Sequence, residues 1–421
     1  MSLRGLLTKH PLIKSLVELK GNSRACMYTE PLWIIPFNLY MPFVSVYMAA
    51  LLLTDRQIGL VASTVMFFRA IAALLSGAIT DKLGRKLTTL IFDITSWSVP
   101  CLLWAFSQNF WWFMIAAAFN GTMQITDNSW TCLLVEDVAK EAMVKIYSML
   151  HMIAQLAIIF APLAAVMVNQ LTVVPAMRIL YLISFASMTL KFILLYRYCD
   201  ETEVGRTRKR ETSGMSLWKI MGGYGQIYKS IFASKDMMLA LAIAAIFSIL
   251  GTITGNFFGL YVTGTLLIPE HFLAYFPILR SLVIAGFIFL FQPKLERFGF
   301  RYPMLIGLFI YMISTSVLIF APKETLYILV IHVFLDAVAY SMVIPRSDSL
   351  TALLIEPSER ARIRGLMMVL VLGISIPFGY IAGWLSDMDR RFPFVLCLGI
   401  FVLIYIIIAA GRKRLDALKS S

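Results

Sequence analysis

Apolar runs of about 20 residues recur along the whole chain, each closed off by a short polar stretch. As helix, such a run crosses roughly 30 Å of hydrocarbon. The runs predict twelve membrane-spanning helices, near 28–54, 57–79, 88–107, 110–135, 145–169, 175–197, 237–264, 271–292, 303–321, 325–355, 365–386 and 392–410. In lipid each backbone N–H and C=O must be satisfied inside the protein, and long unalternating runs achieve that as helix. The longest polar interruption, 199–236, divides the runs six and six. It opens with Asp200, Glu201, Glu203, Arg206, Arg208, Lys209 and Arg210, then turns amphipathic through Leu217, Trp218, Ile220, Met221 and Tyr224. That predicts a solvated linker followed by a surface helix.

The expected organisation follows from this pattern. Residues 1–27 form an amphipathic cytoplasmic segment, with Leu3, Leu6, Leu7, Leu12, Ile13, Leu16 and Val17 at helical spacing among lysines. A six-helix bundle covers 28–198, the linker 199–236, a second six-helix bundle 237–410, and a basic tail 411–421. The bundles read as copies of one unit. Asn128 to Glu136 read NSWTCLLVE, and Asp348 to Glu356 read DSLTALLIE. A second echo sets DKLGRK at 81–86 against ERFGFR at 296–301. In so apolar a chain, a parallel repeat points to a transporter built from two halves.

Composition narrows the class. Hydrophobic residues make up 59% and charged residues 14%, too apolar for a soluble globule. The net charge of +13 is not a nucleic-acid signal, because Lys and Arg gather on the segments of one side. That asymmetry places both termini in the cytoplasm of a multi-pass protein in the cell (inner or plasma) membrane. No cleavable signal peptide is expected, since the first 25 residues hold no continuous apolar core. The five cysteines are scattered, without metal-ligand or disulfide spacing. Neither H-E-x-x-H, nor G-x-S-x-G, nor a phosphate-binding glycine loop occurs, so no enzyme is expected.

Residues 77–86 read GAITDKLGRK, between spans two and three. This resembles the signature loop of the major facilitator superfamily, G-x-x-x-D-R/K-x-G-R/K-R/K. The resemblance covers essentially the whole chain and implies an all-α fold of twelve transmembrane helices in two pseudo-symmetric six-helix bundles. It implies a cytoplasmic gate. Gly77 and Gly84 allow close approach, Asp81 faces the N-terminus of the eleventh helix, and Arg85 pairs bidentately with Glu136. The repeat supplies Glu296, Arg301 and Glu356 as the matching set. These residues are expected to latch the halves together on the cytoplasmic side. In span five, Ser148, Ala157, Ala161, Pro162, Ala164 and Ala165 keep the spacing of the antiporter signature of the family's drug exporters, with every glycine replaced. Those exporters carry an Arg one turn before a Gly in span four. Here Ala117 stands at that place before Gly121, so their coupling residue is not carried over.

A charge at the centre of a membrane helix costs about 2.5–3.5 kcal/mol on insertion scales, so charges kept there face one another or a wet cavity. The chain keeps Arg69, Asp127, Arg280, Asp336, Arg346 and Asp348 inside spans. All lie on spans that line the cavity of the resembled fold; Lys191 does not, and is expected to reach for the interface. Span four carries Asn120, Gln124, Asn128 and Thr131 as one polar stripe beside Asp127. Asn38, Arg69, Gln124, Asp127, Asn256, Arg280, Tyr340 and Arg346 are the candidate substrate-cavity residues. Asp127 and Arg346 are the first-choice pair across the cavity. Guanidinium groups suit an anionic group on a substrate. Glu30, Asp127, His332 and Asp336 are the candidates to carry a coupling proton, through carboxyls removed from water or an imidazole.

The function expected is secondary active transport of a small amphipathic organic molecule, with an anionic group in view, by proton-coupled export. The coupling ion is H+ and no other cofactor is expected. The partners are a small-molecule substrate and the lipid bilayer, not nucleic acid, and the protein is expected to be a monomer. Uptake of a nutrient or organic anion, lipid flipping, and ligand sensing without flux stay open as alternatives.

Overall fold

The computed structural model describes residues 19–138, 140–220, 222, 232–295, 301–353 and 360–410. Among them all regular structure is helical. Eleven stretches are long and apolar enough to cross a membrane, from Gly21–Ala50 to Phe392–Ala409. The fourth predicted span adds two abutting helices, Phe110–Gly121 and Met123–Val135, which meet at Thr122. The break at Thr122 leaves helices of 12 and 13 residues, each shorter than a full span. The protein is thus an all-α, multi-pass membrane protein with the twelve-helix architecture read from the sequence. The terminal segments 1–18 and 411–421, and residues Glu296 and Glu356, lie outside the described residues.

Prolines shape the spans, and neighbouring side chains repair the damage. Proline has no N–H to donate to the carbonyl four residues back. In span one Pro36 lies inside the helix Pro31–Tyr40. The Leu32 carbonyl it leaves behind accepts the Ser187 hydroxyl of span six at 2.7 Å. In span three the helix Arg85–Asp93 gives way to a π turn, Ile94–Ser98, then to the helix Val99–Ala105 with Pro100 near its start. Pro100 offers nothing to the Ser96 carbonyl, and Asn120 of span four donates to it at 2.9 Å. Asn120 is buried against span three. Gln124 and Asn128 instead turn to Arg69 and Thr80 of span two. The predicted single stripe is therefore divided between two neighbours, with the change falling at Thr122.

The chain packs into two compact units. One takes residues 1–41, 68–161 and 177–223; the other takes 42–67, 162–176 and 224–421. Span two, Asp55–Leu83, contributes to both. Inside the second unit its Asp55 end lies against span eleven, Arg360–Met388. A Cβ built on Gly59 would run into the backbone of Gly379 and Gly383, and one on Gly383 into the backbone of Asp55 and Arg56. Glycine permits this approach because dispersion between backbones, not water exclusion, holds helices together in lipid. The Ser63 hydroxyl donates to the Ile376 carbonyl at 2.7 Å and accepts from the Tyr380 N–H at 2.9 Å. It thereby inserts into the i→i−4 ladder of span eleven beside Pro377. Arg390 grips both oxygens of the buried Asp55 carboxylate, at 2.8 and 3.0 Å, and Ser386 adds a third bond at 2.6 Å.

Candidate functional site

The loop after span two turns on Gly84, whose φ of +90° favours glycine. The next helix starts at Arg85, where backbone N–H groups have no partner within the helix. Glu201 supplies one: its carboxylate accepts from the Arg85 N–H at 2.8 Å and the Lys86 N–H at 3.2 Å. A negative charge also complements the helix N-terminus. The Arg85 side chain is buried and forks onto Glu136 at 3.1–3.2 Å, while Nη1 donates to Asp81 at 3.0 Å. Thr202 donates to Glu136, and Thr212 to the Asp81 carbonyl. Gly77 lies half-buried within span two.

This clasp corrects the linker reading. Residues after Cys199 do not simply run through solvent: Glu201 and Thr202 dock on the loop, and Glu203–Glu211 is helical. The cause is the unsatisfied helix N-terminus, for which Glu201 is an acceptor. The second short helix, Leu217–Ile220, falls where the surface helix was expected; residues 223–231 lie outside the described residues. In the repeat, Arg301 donates to the Ala409 carbonyl at 2.9 Å.

Within the first unit the interior charges find different partners. Arg69 donates through Nε to Gln124 at 3.0 Å, and Asp127 lies within its electrostatic reach. Glu30 and Lys191 form an ion pair at 2.8 Å, both side chains 6% exposed. The Lys191 ammonium also lies over the rings of Trp33 and Trp130, at 5.5 and 5.4 Å. Lys191 therefore does not reach for the interface. A carboxylate and two aromatic faces offer it more than the membrane surface does. Glu30, expected as a proton carrier, is the other half of that pair. Asn38 lies half-buried near Trp33 in sequence, on the same helix.

The second unit brings three of the predicted residues together. Arg280 donates to Asp336 at 2.8 Å, its side chain 40% exposed and that of Asp336 25%. The guanidinium lies 4.4 Å over the Tyr340 ring. The pair is thus partly open to its surroundings. His332 is not drawn to Asp336 as a partner. Its Nδ1 lies 2.9 Å from the Ser314 hydroxyl of span nine and its ring beside Phe258. Arg346 is buried and donates to the Met342 carbonyl of its own helix at 2.9 Å. Asn256 likewise donates to the Thr252 carbonyl one turn back.

Several residues that now carry the architecture were not singled out from the sequence. Asp55 and Arg390 fall between the predicted spans. Gly379 and Gly383 have the G-x-x-x-G spacing of close helix contacts, and that signal was available. Asp93 is a carboxyl inside an apolar run, which the same cost argument that picked out Asp127 would have flagged. Glu201 carries no local signal, since its partner is a helix start 116 residues away in sequence.

Comparison with known proteins bears on this geometry. Residues 34–290 match the sequence pattern of the Major Facilitator Superfamily. The chain belongs to the Major Facilitator Superfamily. Multidrug resistance protein MdtG of Rahnella sp. (strain Y9602) is 35% identical over 92 residues, which are 21% of this chain and 22% of that protein. The chain thus matches about a fifth of that relative's length. The nucleoside transporter NupG superposes with a TM-score of 0.73 at 14% identity, covering 94% of this chain and 100% of that one. A bacterial homologue of the iron transporter ferroportin, in an inward-facing state, gives 0.69 at 15% identity over 93% and 99%. At these identities the likeness is one of fold. Both neighbours are superfamily-type transporters rather than enzymes, and their different cargoes show that the fold alone names no substrate.

Proposed function

We propose that this superfamily member is a secondary active transporter that exports a small amphipathic organic molecule in exchange for protons. The observation that carries the reading is the Arg280–Asp336–Tyr340 group. It is a charged pair inside the span region, partly accessible and backed by an aromatic face. Charges are kept in such a place for function or for pairing, and this pair is open enough to serve both. A substrate anion competes with Asp336 for Arg280. Asp336 is the carboxyl of this group that can take the coupling proton. Arg69, Gln124 and Asp127 offer a second charged surface of the same kind. The local similarity to a protein named for multidrug resistance supports export of amphipathic molecules.

The same reading places the protein in the cell membrane as a monomer with cytoplasmic termini, and makes Asp81, Arg85 and Glu136 a fixed clasp on the cytoplasmic side that supports the gate without opening. The test is proton flux driven by a panel of anionic and cationic amphipathic dyes in proteoliposomes. Asp127→Asn and Asp336→Asn are expected to lower the flux about tenfold or more. Undiminished flux in both contradicts the coupling assignment.

A further inference from the structure

Among the carboxyls Glu30, Asp93 and Asp127 of the first unit, one has no cation of its own. Glu30 is matched by Lys191 at 2.8 Å, and Asp127 lies within reach of Arg69. The remaining carboxyl is Asp93, at the junction of the helix Arg85–Asp93 with the π turn Ile94–Ser98. It is 6% exposed. Its Oδ1 accepts the Thr126 hydroxyl at 2.7 Å. Its Oδ2 is buried and has no hydrogen-bond partner among the described residues.

The charged groups that act on Asp93 come from three other spans: Lys191, Asp127 and Glu30. Lys191 is already hydrogen-bonded to Glu30. Three carboxyls therefore share two cations. An ionised carboxylate accepts at both oxygens, and burying one with an empty oxygen and no cation of its own is among the costliest arrangements a protein can hold. A neutral carboxylic acid removes the surplus charge. The adjoining π turn is a feature that recurs at functional sites.

We infer that Asp93 holds a proton on Oδ2 in this conformation and is a coupling proton carrier in the first unit. The inference rests on the proton-coupled reading above and adds a residue to it. On release, the O–H bond of Asp93 breaks and the proton passes to water admitted from the side then open. The carboxylate left behind competes with Glu30 for Lys191, so proton release and loosening of the Glu30–Lys191 tie between spans one and six occur together.

Infrared spectra of the purified protein in lipid nanodiscs test the proton directly, with no ligand required. The carbonyl band of a protonated carboxyl is expected at neutral pH and should be lost in Asp93→Asn; a band left unchanged overturns the inference. Thr126→Val removes the donor to Oδ1 and is expected to shift that band, which serves if the Asn variant does not fold; an unmoved band again overturns it. The same two proteins are then assayed for dye transport driven by a pH gradient. Loss of uphill transport in Asp93→Asn, with downhill dye equilibration retained, is the expected result. Undiminished uphill transport without the band means that the proton is structural. Absence of uphill transport in the unsubstituted protein, with the band present, removes the proton-coupled reading and the carrier role with it, leaving a buried protonated Asp93.

Discussion

Span two is held at both ends, by opposite means. At its Leu83 end the contact is made by charges and hydrogen bonds: Arg85 on Glu136 and Asp81, with Glu201 closing the next helix start. At its Asp55 end the contact is made by absence of side chains, with Gly59, Gly379 and Gly383 letting backbones meet, beside a forked ion pair from Arg390 to Asp55 and a second pair between Arg56 and Asp387. The clasp draws its partners from spans two, three and four and the start of the linker, all on one side of the central interruption. The seam joins span two to span eleven, which lie on opposite sides of it. A transporter that works by rocking its halves must break the second kind of contact and can keep the first. Close-packed glycine faces suit a joint that opens, since few side-chain bonds, chiefly those of Asp55 with Arg390 and Ser386, have to be broken. The forked bonds of the clasp suit a part that travels as one body.

The largest effect is expected where nothing can yield. Gly383→Leu puts a branched side chain against the backbone of Asp55 and Arg56, with no flexible group to move aside. Overpacking of this kind costs about 3 kcal/mol or more. The seam should fail to close, seen as lost transport and a lowered melting temperature in detergent. Wild-type transport from this variant breaks the account of the seam. A smaller effect is expected at the clasp. Arg85→Lys keeps the charge but loses the fork to Glu136, and should cost about 1–2 kcal/mol in thermal stability. Downhill transport should fall less than in the glycine variant. The reverse order of severity would mean that the clasp, not the seam, is the working joint.

The sequence was most informative where its signal is local. Twelve apolar runs, the GAITDKLGRK loop and the repeated NSWTCLLVE segment all state their meaning within a few residues, and the helices fall where those runs lie. Arg85 with Glu136 was expected from the family resemblance, and Arg280, Asp336 and Tyr340 were each candidates because polar groups are costly inside a span, though their grouping was not read. Pairings across the chain could not. Asp55 with Arg390 are 335 residues apart in sequence, and Glu201 meets Arg85 only because a helix start there needs an acceptor. Proline repair by Ser187 and Asn120 was equally hidden: the sequence shows the orphaned carbonyl but not which neighbour reaches it. Lys191 was assigned to the interface, and Asp93 was passed over, for a different reason. Both lie on spans outside the set that lines the cavity of the resembled fold, and the cost of a buried charge was not applied to them.

The central claim is that the seam opens during transport while the clasp holds. Spin labels at the exposed positions Thr54 and Met388 report the seam, and labels at Lys82 and Lys209 report the clasp. Pulsed electron–electron distance measurements on each pair, in nanodiscs at acidic and alkaline pH and with dye present, compare the two directly. The Thr54–Met388 distribution is expected to gain a second, longer population that grows with one of those conditions, while the Lys82–Lys209 distribution keeps a single maximum. A seam distance that never changes, or a clasp distance that lengthens in step with it, contradicts the account.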